Sequence, residues 1–308
     1  MTLAILLSGQ GGQHPGMFDL TADAPEAQEI FAFAKPLFGG VDPRDLARSG
    51  GDRLHENRTG QILCCVAALA TWRALGAARP VRAIAAGYSV GDLAAWGIVG
   101  RLDPADLLGL AARRAEAMDA ASGAGFGLAG IRGLSLDALA GLAAGRGCHL
   151  AIRNAADSGV VGGPREVLES LCRDAQASGA QRAVVLPVHT PSHTPLLAAA
   201  TDAFRAALAA TPQRPPPPSA PRLLSGLDGA AVFRVADGLE KLALQISHAI
   251  DWAACLEACR EFGADRVLEL GPGHALATMA RTALPEARIH AVDEFRSLAG
   301  VIDWLRQD

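Results

Sequence analysis

A serine between two glycines and a histidine after a proline-bearing turn are the residues of this chain best suited to covalent chemistry. In Gly87-Tyr88-Ser89-Val90-Gly91 a short apolar segment enters and a periodic apolar segment leaves, so Ser89 falls at a strand-to-helix turn. Glycines two residues to either side leave room for a tight bend. The bend holds the hydroxyl clear of its neighbours and puts the following N–H groups at a helix start, where oxyanion charge is favoured. Such a nucleophile needs a base. His193, at the end of Pro187-Val188-His189-Thr190-Pro191-Ser192-His193, is the preferred one, with His189 and His274 as competitors. A neutral imidazole there can accept the serine proton and return it to a leaving thiol.

The elements that must hold these groups read as a layered α/β protein. Residues 3–7 form a buried strand followed by the glycine-rich turn Gly9-Gln10-Gly11-Gly12-Gln13, which brings backbone amides close to a ligand. The turn lacks the lysine of a P-loop, and no dinucleotide fingerprint follows it. A buried helix is expected over 61–75, a strand over 83–86, a helix over 93–99, and another opened by Pro104 and running past Arg113, Arg114 and Met118. Strand, helix, strand, strand, helix and strand then follow over 126–131, 136–143, 150–153, 159–162, 165–177 and 182–188. That order suits a ferredoxin-like subdomain at 124–191, inserted into a larger α/β domain made of 1–123 and 192–308. Both ends of the insertion fall near Ser89, which predicts a cleft between the two units. Beyond it, helices are expected over 195–210, 238–247 and 251–261, and a strand over 266–270 before Gly271-Pro272-Gly273. The proline run 215–218 reads as a rigid extended connection.

Composition narrows the function classes. The chain has 308 residues, half of them hydrophobic, enough for a large core. Twenty-eight Lys and Arg against 32 Asp and Glu give a net charge of −4, which argues against a general nucleic-acid binder. The six cysteines have neither the spacing of a disulfide scaffold nor that of a metal site, so buried thiols in a reducing compartment are expected. No apolar run reaches spanning length and no basic leader precedes the first strand, so a cytoplasmic protein without a membrane partner is expected.

The ordered set Gly9-Gln10-Gly11-Gly12-Gln13, Gly87-Tyr88-Ser89-Val90-Gly91-Asp92, Arg114 before Met118, Pro191-Ser192-His193, Gln245 seven residues before Trp252, and Gly271-Pro272-Gly273 resembles the malonyl-CoA:acyl-carrier-protein transacylase family over almost the full length. The resemblance implies an α/β hydrolase-like large domain with a ferredoxin-like insertion. It makes Ser89 the acyl-accepting nucleophile, His193 its general base and acid, and the Gln10 and Val90 amides the oxyanion hole. Arg114 would clamp the free carboxylate of the malonyl group, with Arg113 as the neighbouring alternative. Gln245 would line the site and orient His193 through its main-chain carbonyl, and Asn154 would stand near the cleft. No metal or redox cofactor is implied. Malonyl-CoA is the implied substrate, and the carrier protein supplies a prosthetic-group thiol.

Two residues depart from the family pattern: Tyr88 stands where histidine is usual and Asp92 where glutamate is usual. With the early Gln-Gly-Gly-Gln-His-Pro-Gly-Met stretch they resemble the epsilon subunit of malonate decarboxylase more than the fatty-acid transacylase. The expected partners are then the acyl-carrier subunit of that system and its decarboxylase subunits. The alternatives are a transacylase of fatty-acid or polyketide synthesis, a serine thioester hydrolase in which water replaces the acceptor thiol, and an assembly protein that kept the fold.

Overall fold

The computed structural model describes residues 1–307 and contains ten strands: β1 (Leu3–Leu7), β2 (Ala83–Gly87), β3 (Phe126–Arg132), β4 (His149–Ala155), β5 (Ser158–Pro164), β6 (Arg182–Val185), β7 (Arg222–Leu223), β8 (Ile250–Asp251), β9 (Arg266–Leu270) and β10 (Arg288–Ala291). One sheet has the order β10-β9-β1-β2-β7, all parallel. All five residues of β1 are buried. Leu3, Ile5 and Leu7 face one apolar cluster while Ala4 and Leu6 face another, so helices cover both sides. A parallel sheet requires this, and it explains why β1 reads as a continuous apolar run rather than an alternating one. The helix Asn57–Ala74 packs in the first cluster with 15 of its 18 residues buried, which accounts for its nearly all-round apolar character.

Because β1 and β2 are parallel neighbours in register, with Leu7 opposite Gly87, both chains leave the sheet at the same end. The glycine loop after β1 and the turn carrying Ser89 are thereby set side by side at the carboxyl ends of the strands, the usual place for a ligand in such sheets. The Gly271-Pro272-Gly273 turn leaves β9, the other neighbour of β1, at that end too. A Cβ added to Gly12 would stand 2.4 Å from the Pro272 carbonyl oxygen, so the two loops touch backbone to backbone.

The second sheet has the order β6-β3-β5-β4-β8. Its first four strands pair antiparallel, with the helices Leu136–Ala143 and Arg165–Ala177 packed on them through a separate apolar cluster. The fifth strand is unexpected. Ile250–Asp251 pairs parallel with Ile152 and Arg153 of β4, so a segment far along the chain completes this sheet. The strand expected over 182–188 stops at Val185. The helix expected over 238–247 is Val235–Leu244, which leaves Gln245 as its C-cap. Neither β10 nor the final helix Leu298–Arg306 is anticipated by the sequence pattern. All six cysteines are free and buried, and no helix among the described residues is long and apolar enough to cross a membrane.

Candidate active site

Ser89 sits between β2 and the helix Val90–Ile98 with φ 56° and ψ −121°. It and His193 (φ 64°) are the only non-glycine residues among the described ones with positive φ. Such backbone costs of order 1–3 kcal/mol and persists only where surrounding structure enforces it. The turn around Ser89 is tightly packed. A Cβ at Gly87 would lie 2.1 Å from the Asp92 nitrogen, and one at Gly91 would lie 2.1 Å from the Leu7 carbonyl oxygen. Glycine is therefore required on both sides of the bend.

His193 is held by a different part of the chain. Its backbone N–H donates to the Ile246 carbonyl at 2.8 Å, and its ring is 1% exposed. Nδ1 lies 2.6 Å from the Gln245 main-chain oxygen and Nε2 lies 2.9 Å from Ser89 Oγ. A carbonyl only accepts, so the Nδ1 proton is the one donated to Gln245, and the Nε2 lone pair faces the serine hydroxyl. That carbonyl is available because Gln245 ends its helix, where the last C=O groups have no intrahelical partner. No carboxylate is needed to set the tautomer. His189 and His274, the other candidate bases, are exposed.

Burial, then the Arg114 charge, depress the His193 pKa from 6.5 to about 3, against a smaller upward effect of the Gln245 hydrogen bond. The ring is therefore neutral, with its Nε2 lone pair free to accept a proton, at any pH above that value. Its protonation is expected to place the acid limb of the kcat/KM profile for acylation well below 6.5, at about 3. Replacing Arg114 by methionine removes one of the two depressing causes and is expected to move that limb upward, read with an uncharged acyl-CoA. An unshifted limb would mean that the arginine does not act on the imidazole.

Arg114 projects from the helix Pro104–Ser122 and is 1% exposed, whereas Arg113 is exposed. Its Nη1 donates to Gln61 Oε1 at 2.7 Å and to Met118 Sδ at 3.3 Å, and Nη2 reaches Gln245 Oε1 at 3.4 Å. All three acceptors are uncharged, and Nε has no partner among the described residues. Burial lowers its pKa to about 10, so it remains a cation at neutral pH. A buried cation without a directly bonded carboxylate is costly, and a carboxylate ligand would offset that cost.

Sequence pattern alone assigns no role to Gln61. A glutamine at the start of the long apolar run 62–70 of a buried helix is the signal that could have found it. Its Nε2 donates to Asn57 Oδ1 at 2.8 Å, which turns its oxygen toward Arg114. Gln10 is tied through its side chain to the Asn57 carbonyl at 3.3 Å, leaving its own N–H and that of Val90 without an acceptor among the described residues. Tyr88 donates to Asn154 Oδ1 at 3.2 Å and packs edge-on against Trp252 with ring centroids 5.4 Å apart. That bond joins the serine turn to β4 of the second sheet. Asn154 thus meets Tyr88, and the structure brings it to the border of the site.

A serine, a neutral imidazole, two available amides and an unpaired buried guanidinium are the parts needed to transfer an acyl group that carries a free carboxylate. Residues 5–281 match the model of the acyl transferase domain. The chain is 31% identical to the malonyl CoA-acyl carrier protein transacylase of Mycobacterium tuberculosis, covering 94% of this chain and 96% of that protein. It is 27% identical to the protein of the same name from Escherichia coli, over 97% and 98% of the two chains. Among solved structures, the acyl-carrier-protein S-malonyltransferase from Burkholderia pseudomallei superposes with a TM-score of 0.89 at 30% identity, over 98% of this chain and all of that one.

Proposed function

The chain belongs to the acyl transferase family, and on that premise we propose that it moves a malonyl group from malonyl-CoA to the thiol of an acyl carrier protein through a malonyl-Ser89 intermediate. Its activity is that of a malonyl-CoA:acyl-carrier-protein S-malonyltransferase. The observation that carries the intermediate is the 2.9 Å approach of His193 Nε2 to Ser89 Oγ, backed by the 2.6 Å bond from Nδ1 to Gln245. His193 takes the serine proton as Oγ attacks the thioester carbonyl, and the Gln10 and Val90 amides hold the resulting oxyanion. Collapse breaks the carbon–sulfur bond, and the imidazolium returns its proton to the departing CoA sulfur. The carrier thiol then gives its proton to Nε2, attacks the ester, and releases Ser89 by the same steps reversed. Arg114 holds the far carboxylate throughout.

We take residues 1–123 and 192–308 as an α/β hydrolase-like domain and 124–191 as a ferredoxin-like insertion. The strand order β6-β3-β5-β4 with its two helices supports this reading. The relatives favour the acyl carrier protein of fatty-acid or polyketide synthesis as acceptor, ahead of the malonate decarboxylase subunit expected from Tyr88 and Asp92.

The test is to incubate the protein with malonyl-CoA alone, map any added malonyl group by peptide mass spectrometry, and then offer each carrier in turn. The adduct is expected on Ser89, with transfer to the fatty-acid carrier faster than release of free malonate. Turnover without the adduct would defeat the covalent route, and hydrolysis outrunning transfer would make the protein a thioesterase. Faster loading of the decarboxylase carrier would reverse this order of acceptors.

A further inference from the structure

Asp92 has no part in the chemistry above, yet it is 1% exposed and lies in the first turn of the helix that follows Ser89. We propose that Asp92 is a positioning residue, which fixes the side-chain amide of Gln245 with its oxygen toward Arg114 and thereby tunes the arginine for a carboxylated acyl group. The inference rests on Arg114 being the carboxylate clamp.

Asp92 Oδ2 accepts two hydrogen bonds, from the Gly226 N–H at 2.9 Å and from Gln245 Nε2 at 2.9 Å. Burial pushes the Asp92 pKa up to about 7. Two N–H groups aim at Oδ2, so that atom is an acceptor whether or not Oδ1, unpartnered among the described residues, carries a proton, and a guanidinium offers only donors. Gln245 lies between the two, so one orientation of its amide makes two hydrogen bonds. The reversed orientation would set oxygen against carboxylate and NH2 against guanidinium. Gly226 is part of the arrangement, since a Cβ there would stand 2.8 Å from Gln245 Nε2 and 2.9 Å from Asp92 Oδ2. On the opposite side of the guanidinium, Asn57 orients Gln61 in the same manner. Two amide oxygens, each aligned by a neighbour, thus hold the ends of the Arg114 fork. An uncharged acyl group makes no use of that alignment, whereas a carboxylate pairing through two parallel bonds depends on it. Gln245 also supplies the His193 acceptor, but through its main chain, so the side chain can be perturbed with the imidazole still held.

The test compares kcat and KM for malonyl-CoA and acetyl-CoA in the wild type, Asp92→Asn, Asp92→Leu and Arg114→Met. In Asp92→Asn the Gly226 N–H, which can only donate, keeps the new side-chain oxygen at the shared position, so Gln245 keeps its orientation. In Asp92→Leu both donors lose their acceptor. Leaving buried donors unmade is expected to raise KM for malonyl-CoA and to cut the malonyl-to-acetyl ratio of kcat/KM by about tenfold or more, and Asp92→Asn is expected to restore that ratio to within about threefold of wild type. Equal losses for both substrates in Asp92→Leu, or an Asp92→Asn variant no better than Asp92→Leu, would overturn the proposal. Should Asp92→Leu fail to fold, Gln245→Met deletes the amide while keeping the carbonyl. It is expected to lower the ratio equally, and an unchanged ratio overturns the proposal. Arg114→Met separates the two readings. If it collapses the ratio while Asp92→Leu and Gln245→Met do not, only the role of Asp92 fails, and if it leaves the ratio intact the clamp itself fails.

Discussion

Ser89→Ala is expected to lower malonyl transfer by roughly 10⁴-fold or more and to leave no enzyme-bound acyl group, because the alternative is direct attack of one thiol on another's thioester without a positioned nucleophile. His193→Ala is expected to fall nearly as far. The double variant should be no worse than the lower of the two, since a nucleophile and its base act as a unit. The check is the rate of mass gain on the carrier protein, together with the intact mass of the enzyme after malonyl-CoA alone. A Ser89→Ala protein that still acquires a malonyl group would place the nucleophile elsewhere. Stability offers a second reading. The backbone at Ser89 has φ 56°, so Ser89→Gly should relieve strain of about 1–3 kcal/mol and melt higher than Ser89→Ala, which keeps a Cβ in the same conformation.

For Arg114→Ala the expected loss is selective. Removing one member of a buried, charge-assisted pair costs about 2–5 kcal/mol, so kcat/KM for malonyl-CoA is expected to drop roughly 30-fold to several thousandfold. Acetyl-CoA, with no carboxylate to hold, should be nearly unaffected. Equal losses for the two substrates would defeat the clamp. The cation is buried among uncharged acceptors in the resting protein, so stability is expected to move the other way once packing is preserved. Arg114→Met should melt no lower than wild type, and a large destabilisation would show that Arg114 is chiefly a structural residue.

On the proposed mechanism, malonyl recognition and covalent chemistry meet at one residue. Gln245 joins them, with its main chain on His193 and its side chain between Arg114 and Asp92. The arginine charge that awaits the carboxylate also depresses the imidazole. A bound malonyl carboxylate would offset that charge, so the base should be stronger when the acyl group carries its own anion.

The local pattern alone determined the serine turn, since glycines on either side of Ser89 answer to clashes of 2.1 Å that no other residue avoids. It determined the buried first strand and the layered α/β core too, because a strand buried on both faces reads as an unbroken apolar run, while the parallel pairing and strand order came from the fold. Tertiary structure decided what depends on contacts between distant segments. The register of β1 against β2 sets the Gln10 loop beside Ser89, and the early end of the helix at Leu244 frees the carbonyl that orients His193. The sequence assigned no role to Gln61 and none in the site to Asp92, because the contacts that place them there, with Arg114, Gly226 and Gln245, lie 53 to 153 positions away. Periodicity reports which face of an element is buried, and only the packed fold shows which polar groups are buried together.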